Sequence, residues 1–366
     1  MALLLLILLA QTPTWRAEAD QRKNAGDALG ALTALERAPA TAAIEDERGF
    51  LLAVLNRRPE AIERFERAVK LNPAFAAAWF HLGVAQWLDQ RRPAALEALR
   101  KAAKLSPQEA EYWNRLAVAC SDEGLRLEAI SAYERTLKLQ PTNLGARNAY
   151  SFLLIDTGRA EDGRTQAELV LKADPKNLAA HSNLGFAYLQ KNQVDAAIGV
   201  YRRGLTLKPE SAPLHYNLGL ALKQKDQLAE ARDELRQAVR LDPDLVEGYY
   251  TLGVASWQAG DFDDAATQFS AAVQKKLAYP EAWYMLGTVL KQQGQVIGAT
   301  AALKEAIRLD PGAPGPYNLL AQLLRPTEPA ESRRLFAEGA RLKAQKEAEQ
   351  KAMFDRGAAE RPRRIE

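Results

Sequence analysis

Residues that carry chemistry are scarce in this chain. There is one cysteine, Cys120, and there are three histidines, His81, His181 and His215. A lone thiol cannot close an intramolecular disulfide, and no cysteine cluster with zinc-ligand spacing exists. The histidines lack the i, i+4 spacing of a helical metal site. Phosphate-cradling glycine loops, the dinucleotide fingerprint and the nucleophile elbow are all missing. No apolar run approaches the ~18 residues that would mark a membrane-spanning helix. The expectation is no catalytic residue, no metal, no cofactor, no small-molecule substrate and no integral membrane span.

An excess of one charge is missing too. The formal charge is +3, and residues 331–366 supply it, with ten Lys/Arg against seven Asp/Glu. The preceding 330 residues carry 39 of each sign. A neutral body with a slightly basic tail does not suit a surface that tracks phosphates, so no nucleic-acid partner is expected.

The longest apolar run is Ala2–Ala10, followed by Ala17-Glu18-Ala19, a small-x-small pattern ahead of Asp20. Residues 1–19 therefore read as a secretory signal peptide, though no Lys or Arg precedes the run. The expectation is export to a periplasmic or extracellular compartment, or a cytoplasmic protein if this segment is not a signal.

What the chain does have is a period. Prolines stand at 39, 73, 107, 141, 175, 209, 243 and 311, 34 residues apart except for a last step of 68. Leu277 occupies the skipped position, with Pro280 just beyond it. Proline stops a helix by removing a donor and clashing with the preceding turn, so these are regularly placed helix ends. Six residues on stand Trp79, Trp113, His181, His215, Tyr249, Trp283 and Tyr317. A leucine column (Leu82, Leu116, Leu184, Leu218, Leu252, Leu286, Leu320) precedes a small one (Gly83, Ala117, Gly185, Gly219, Gly253, Gly287, Ala321). Ala61, Ala95, Ala129, Ala197, Ala231, Ala265 and Ala299 lie four residues before Phe65, Leu99, Tyr133, Tyr201, Leu235, Phe269 and Leu303. Each period predicts two antiparallel helices whose apolar stripes face each other. Gly124, Gly158, Asn192, Asp226, Gly260 and Gly294 mark the turns between them.

These columns resemble the tetratricopeptide repeat, with its W-x2-L-G-x2-Y…A-x3-F…P pattern and 34-residue period. The resemblance covers about residues 42–340 and implies an all-α, right-handed superhelical solenoid of about eight to nine hairpins. Eight units span 42–313, and a ninth, irregular unit spans 314–340 and loses one residue in its second helix. Residues 20–41 form a degenerate N-terminal helical cap, and 341–366 a charged helical C-terminal cap or tail. Unit 144–177 departs most from the pattern, with Arg147, Tyr150, Ser151, Gly163 and Ala167 in its key columns.

The resemblance further implies a non-catalytic scaffold or adaptor that holds a peptide or protein segment in a concave groove lined by the first helices. Carried over by column, the groove residues are Phe80, Asn114, Asn148, Asn183, Phe186, Tyr216, Asn217, Tyr250, Trp257 and Tyr284. Tyr216, Tyr250 and Tyr284 form a row, as groove lining or as packing between first helices. Asn183 and Asn217 resemble the start of the asparagine ladder of O-GlcNAc transferases, which suggests the alternative of a substrate-recruiting arm for a glycosyltransferase-like enzyme. The Lys and Asn set of a carboxylate clamp is not found.

Overall fold

The computed structural model describes residues 14–359, and twenty α-helices with no strand account for nearly all of them. The chain divides into two compact units, one ending at Ala173 and the other beginning at Asp174. In the first, helices pair as α1 (Thr14–Asn24) with α2 (Ala28–Glu36), α3 (Ala42–Val54) with α4 (Arg58–Leu71), α5 (Ala76–Leu88) with α6 (Arg92–Leu105), α7 (Ala110–Asp122) with α8 (Arg126–Leu139), and α9 (Leu144–Asp156) with α10 (Ala160–Ala173). In the second they pair as α11 (Leu178–Gln190) with α12 (Val194–Leu207), α13 (Ala212–Gln224) with α14 (Leu228–Leu241), α15 (Val246–Gln258) with α16 (Phe262–Lys275), α17 (Pro280–Gln292) with α18 (Val296–Leu309), and α19 (Pro314–Leu324) with α20 (Pro329–Ala359). Each unit is a stack of hairpins in which a helix touches its own partner and the next hairpin along.

The small column is where the helices of a hairpin come closest. A Cβ built on Gly83 would lie 2.8 Å from Leu99 Cγ, on Gly253 2.8 Å from the Phe269 ring, and on Gly287 2.7 Å from Leu303 Cγ. Those partners are the large residues of the second-helix column, and all three are fully buried. Gly49 meets Phe65 in the same way, so the hairpin of residues 42–75 obeys the rule even though Arg48 replaces its leucine.

Turns inside the hairpins use the left-handed region. Gly124, Gly158, Gly260 and Gly294 have φ between 69° and 84°, where a residue without Cβ is unstrained. Asn192 (57°) and Asp226 (62°) fill the same column, and so do Asn56 (59°) and Gln90 (62°). Gln90 is the member whose side chain gives no hint of that conformation.

Both ends differ from expectation. The proposed leader straddles the described region: residues 1–13 lie outside it, while 14–19 belong to α1. Ala19 is fully buried, Trp15 packs on the core, and Arg16 bonds Glu47 at 2.7 Å. Among the described residues the N-terminal cap is thus a full hairpin that includes residues 14–19. At the other end, α20 runs through 340 and 341 without a break, because its Ala, Glu, Lys and Gln are good helix formers and no proline follows Pro329 at its start. The residue missing from the ninth repeat falls between its helices rather than in the second one. Pro326 ends α19 early, and α20 starts in nearly regular register.

A charged hub joins α14 and α16. Asp264 accepts from Ser256 (2.5 Å), Gln268 (2.9 Å), Arg236 (3.0 Å) and Arg232 (3.2 Å). Burial opposes its ionisation, but these hydrogen bonds and the two guanidinium charges outweigh burial and hold the carboxyl below the usual carboxylate range. A depressed folded-state value gives stability that is full at neutral pH and fades below about pH 4, as the group protonates. Urea midpoints at pH 7 and pH 3 should therefore differ less in Asp264→Asn than in the parent, the variant being weaker at pH 7. Parallel pH profiles would show that the hub contributes nothing.

Candidate functional site

In most repeats the side chain six residues after the inter-repeat proline is a latch. Trp79 Nε1 donates to Pro73 O (2.9 Å), Trp113 Nε1 to Pro107 O (3.1 Å), and Tyr317 Oη to Pro311 O (3.1 Å). His215 Nε2 meets Pro209 O at 2.8 Å, and its Nδ1 meets Glu234 at 2.5 Å. Trp283 donates to Leu277 O (2.8 Å), so the bond survives where the proline is absent. Arg147, an apparent departure, sends Nη2 to Pro141 O at 2.7 Å. In these six repeats the column supplies a donor of the right reach to a carbonyl freed at the inter-repeat turn; His181 instead meets Asn177 O within its own helix at 3.0 Å, and Tyr249 packs under Lys275. The latching side chains are committed to register between repeats.

The residues expected to line a groove divide into two groups. Phe80 is buried and stacks on Tyr112 with ring centroids 4.5 Å apart. Asn183 is buried and engaged within the fold. Asn114, Asn148, Phe186, Tyr216, Asn217, Tyr250, Trp257 and Tyr284 are half-buried. The tyrosine row bridges successive hairpins. Tyr216 Oη lies 3.5 Å from Thr251 Oγ1, and the Tyr250 ring sits 5.7 Å from Phe269 and 5.1 Å from Tyr279. A Cβ on Gly315 would come within 3.1 Å of the Tyr284 hydroxyl, so that glycine leaves room for the ring. Trp257 reaches Gln292 on the next first helix (3.0 Å). Each of these side chains is packed in part and accessible in part.

The column four residues after Phe80 is more open. In the first unit it reads Phe50, Val84, Val118 and Phe152, with both phenylalanines 52% exposed and both valines half-buried. In the second it continues as Phe186, Leu220 and Val254, all half-buried, before turning polar at Thr288 and Gln322. One apolar side chain per repeat thus tracks along the first helices of each unit. Phe50 escapes notice in the sequence because its repeat carries Arg48-Gly49 in place of Leu-Gly.

Three consecutive acids on α3 fasten the neighbourhood of Phe50. Glu47 holds Arg16 and Lys23 of α1. Asp46 holds His81 Nδ1 of α5 at 2.8 Å. Glu45, buried, pairs with Arg48 and with Arg64 of α4 (3.2 Å). Arg48 in turn donates to Leu35 O (2.6 Å) and Ala38 O (2.9 Å), which closes the end of α2.

The one thiol is not poised as a nucleophile. Cys120 is fully buried, and burial together with the Glu128 charge pushes its thiol up to about 12, the reverse of what a nucleophile needs. Among the described residues, no group of three His, Cys, Asp or Glu side chains converges on a point that could hold a metal ion. No helix among them is long and apolar enough to cross a membrane.

Comparison with known proteins bears on the repeat itself. A family model described as tetratricopeptide repeat matches residues 48–110, 89–143 and 250–314. A second, described as TPR repeat, matches 187–226 and 221–260. Among solved structures, a tetratricopeptide repeat protein from Parabacteroides merdae ATCC 43184 is 15% identical with a TM-score of 0.59, covering 68% of this chain and 98% of that one. MamA is similar at 25% identity and a TM-score of 0.41, over 43% of this chain and 92% of its own. YrrB, titled a TPR protein with an unusual peptide-binding site, is 20% identical with a TM-score of 0.48, over 54% of this chain and 98% of its own. No curated protein matches the chain.

Proposed function

Because the chain belongs to the tetratricopeptide-repeat family and is an interaction scaffold built from that repeat, we propose that it holds an extended segment of a partner polypeptide along the open faces of its first helices. The carrying observation is the apolar track of Phe50, Val84, Val118 and Phe152 in one unit and of Phe186, Leu220 and Val254 in the other. Side chains repeating at one per hairpin offer evenly spaced contacts to a ligand that itself repeats. Half-exposed asparagines such as Asn114 and Asn217 flank the track, and an amide side chain can serve both the N–H and C=O of a bound backbone. Its chemistry is binding and alignment, without bond making.

Panning a random-peptide display library against the immobilised full chain tests this reading. Peptides should enrich, and Phe152→Ser or Phe186→Ser should each weaken a recovered peptide by about tenfold or more with the helical circular dichroism retained. An unenriched library, or recovered peptides indifferent to every substitution along the track, would sink it.

A further inference from the structure

The first unit holds a cavity of about 400 Å³ between α3, α4, α5 and α7, a size typical of ligand pockets. Its walls are largely apolar: Phe50 and Leu88, each more than half exposed, line it together with Val84. His81 stands within it, fixed by Asp46 and surrounded by the rings of Phe50 (5.9 Å), Phe65 (5.6 Å) and Phe80 (5.8 Å). The site is therefore formed before any ligand arrives, which reduces the ordering cost of binding.

Its rim is positive in a way that its surroundings are not. Nearby arginines are matched with acids: Arg57 with Glu60, Arg64 with Glu36, Arg91 with Asp89 and Arg92 with Glu123. Arg58 and Arg115, both lining the cavity, make no ion pair among the described residues; Arg58 bonds only the Leu88 carbonyl, at 3.3 Å. Glu111 also lines the cavity without pairing to either, and Asp46 is occupied by His81. Two open guanidiniums thus stand against one open carboxylate around an apolar hollow. Guanidinium is suited to carboxylate through paired N–H donors.

Resting on the reading of the chain as a peptide-holding scaffold, the geometry points to one occupant: a large apolar side chain, aromatic or leucine, flanked in its own sequence by Asp or Glu. The apolar group fills the cavity against Phe50 and Leu88, and a neighbouring carboxylate pairs with Arg115. Continuity with Val118 and Phe152 on the following first helices gives the rest of the segment a path along the track.

Fluorescence polarisation with the full chain tests this. The probe is a fluorescein-labelled peptide amide, Gly-Ser-Asp-Phe-Glu-Ser-Gly. Controls carry Lys for both acids, or Ala for Phe. The acidic probe should bind saturably, and each control about tenfold or more weakly. Phe50→Ser should weaken the probe similarly. Arg115→Glu should reverse the preference towards the lysine control, a gain that damage to the fold would not produce. Equal binding of acidic and lysine peptides, no saturable binding of the probe, or an unchanged preference in Arg115→Glu would overturn the proposal. Should library-selected peptides still bind and still respond to Phe152→Ser, the scaffold reading survives and only the pocket assignment falls.

Discussion

Replacing Arg48 with alanine is expected to cost the first unit about 3–5 kcal/mol, the range found when one member of a buried ion pair is removed. The side chain is 3% exposed and does three things at once. It neutralises Glu45, which is 2% exposed, and it satisfies the Leu35 and Ala38 carbonyls at the end of α2. After truncation, Glu45 keeps only Arg64 at 3.2 Å, and the two carbonyls lose their donor. Position 48 is the leucine column of the other repeats, so Arg48→Leu restores the apolar contact while leaving the stranded carboxylate. Combining it with Glu45→Leu should recover much of the loss, since an apolar pair can replace a buried ion pair at little cost. Because repeat arrays need not unfold in one step, hydrogen exchange of the α2 and α3 amides is the appropriate measurement. Unchanged protection in Arg48→Ala would show that the cluster is decorative.

That cluster also shows where sequence reasoning stops. Columns spaced at 34 residues identify the hairpins from 42 onward, the close glycine contacts and those turns that carry Gly, Asn or Asp, but neither the Gln90 turn nor the α1–α2 hairpin. Arg147 reads as a defect by residue type, yet it makes the same bond to Pro141 that Trp113 makes to Pro107. The requirement is a donor at a distance, which chemically unlike side chains can meet. Arg48 hides its repeat for a related reason: a paired arginine can occupy a leucine site only if a buried acid lies nearby, and Glu45 three residues earlier carries no repeat signal. The tyrosine row is another limit. Whether Tyr250 lines a surface or packs depends on how near Tyr279 and Phe269 come, at 5.1 and 5.7 Å, and spacing in sequence does not set those distances.

The glycine column yields the second large effect. Gly219→Leu should destabilise the second unit by about 1–3 kcal/mol or more, as overpacking a filled core does. The first added carbon would already lie 2.6 Å from Leu235 Cγ and 3.2 Å from the Ala231 carbonyl. Leu235 is fully buried and so has nowhere to turn, and the carbonyl belongs to the facing helix. Three further carbons then require the hairpin to open. Helix propensity works the other way, since glycine is about 1 kcal/mol poorer than alanine in a helix interior, so the sign of the outcome separates the two effects. Gly199, on α12 of the same unit, supplies the contrast: its added Cβ would meet only the Arg203 guanidinium, at 3.8 Å. Gly199→Ala should therefore raise the thermal midpoint while Gly219→Leu, and to a smaller degree Gly219→Ala, lower it. If all three substitutions moved the midpoint in the same direction, close approach of the paired helices would not be what keeps glycine in that column.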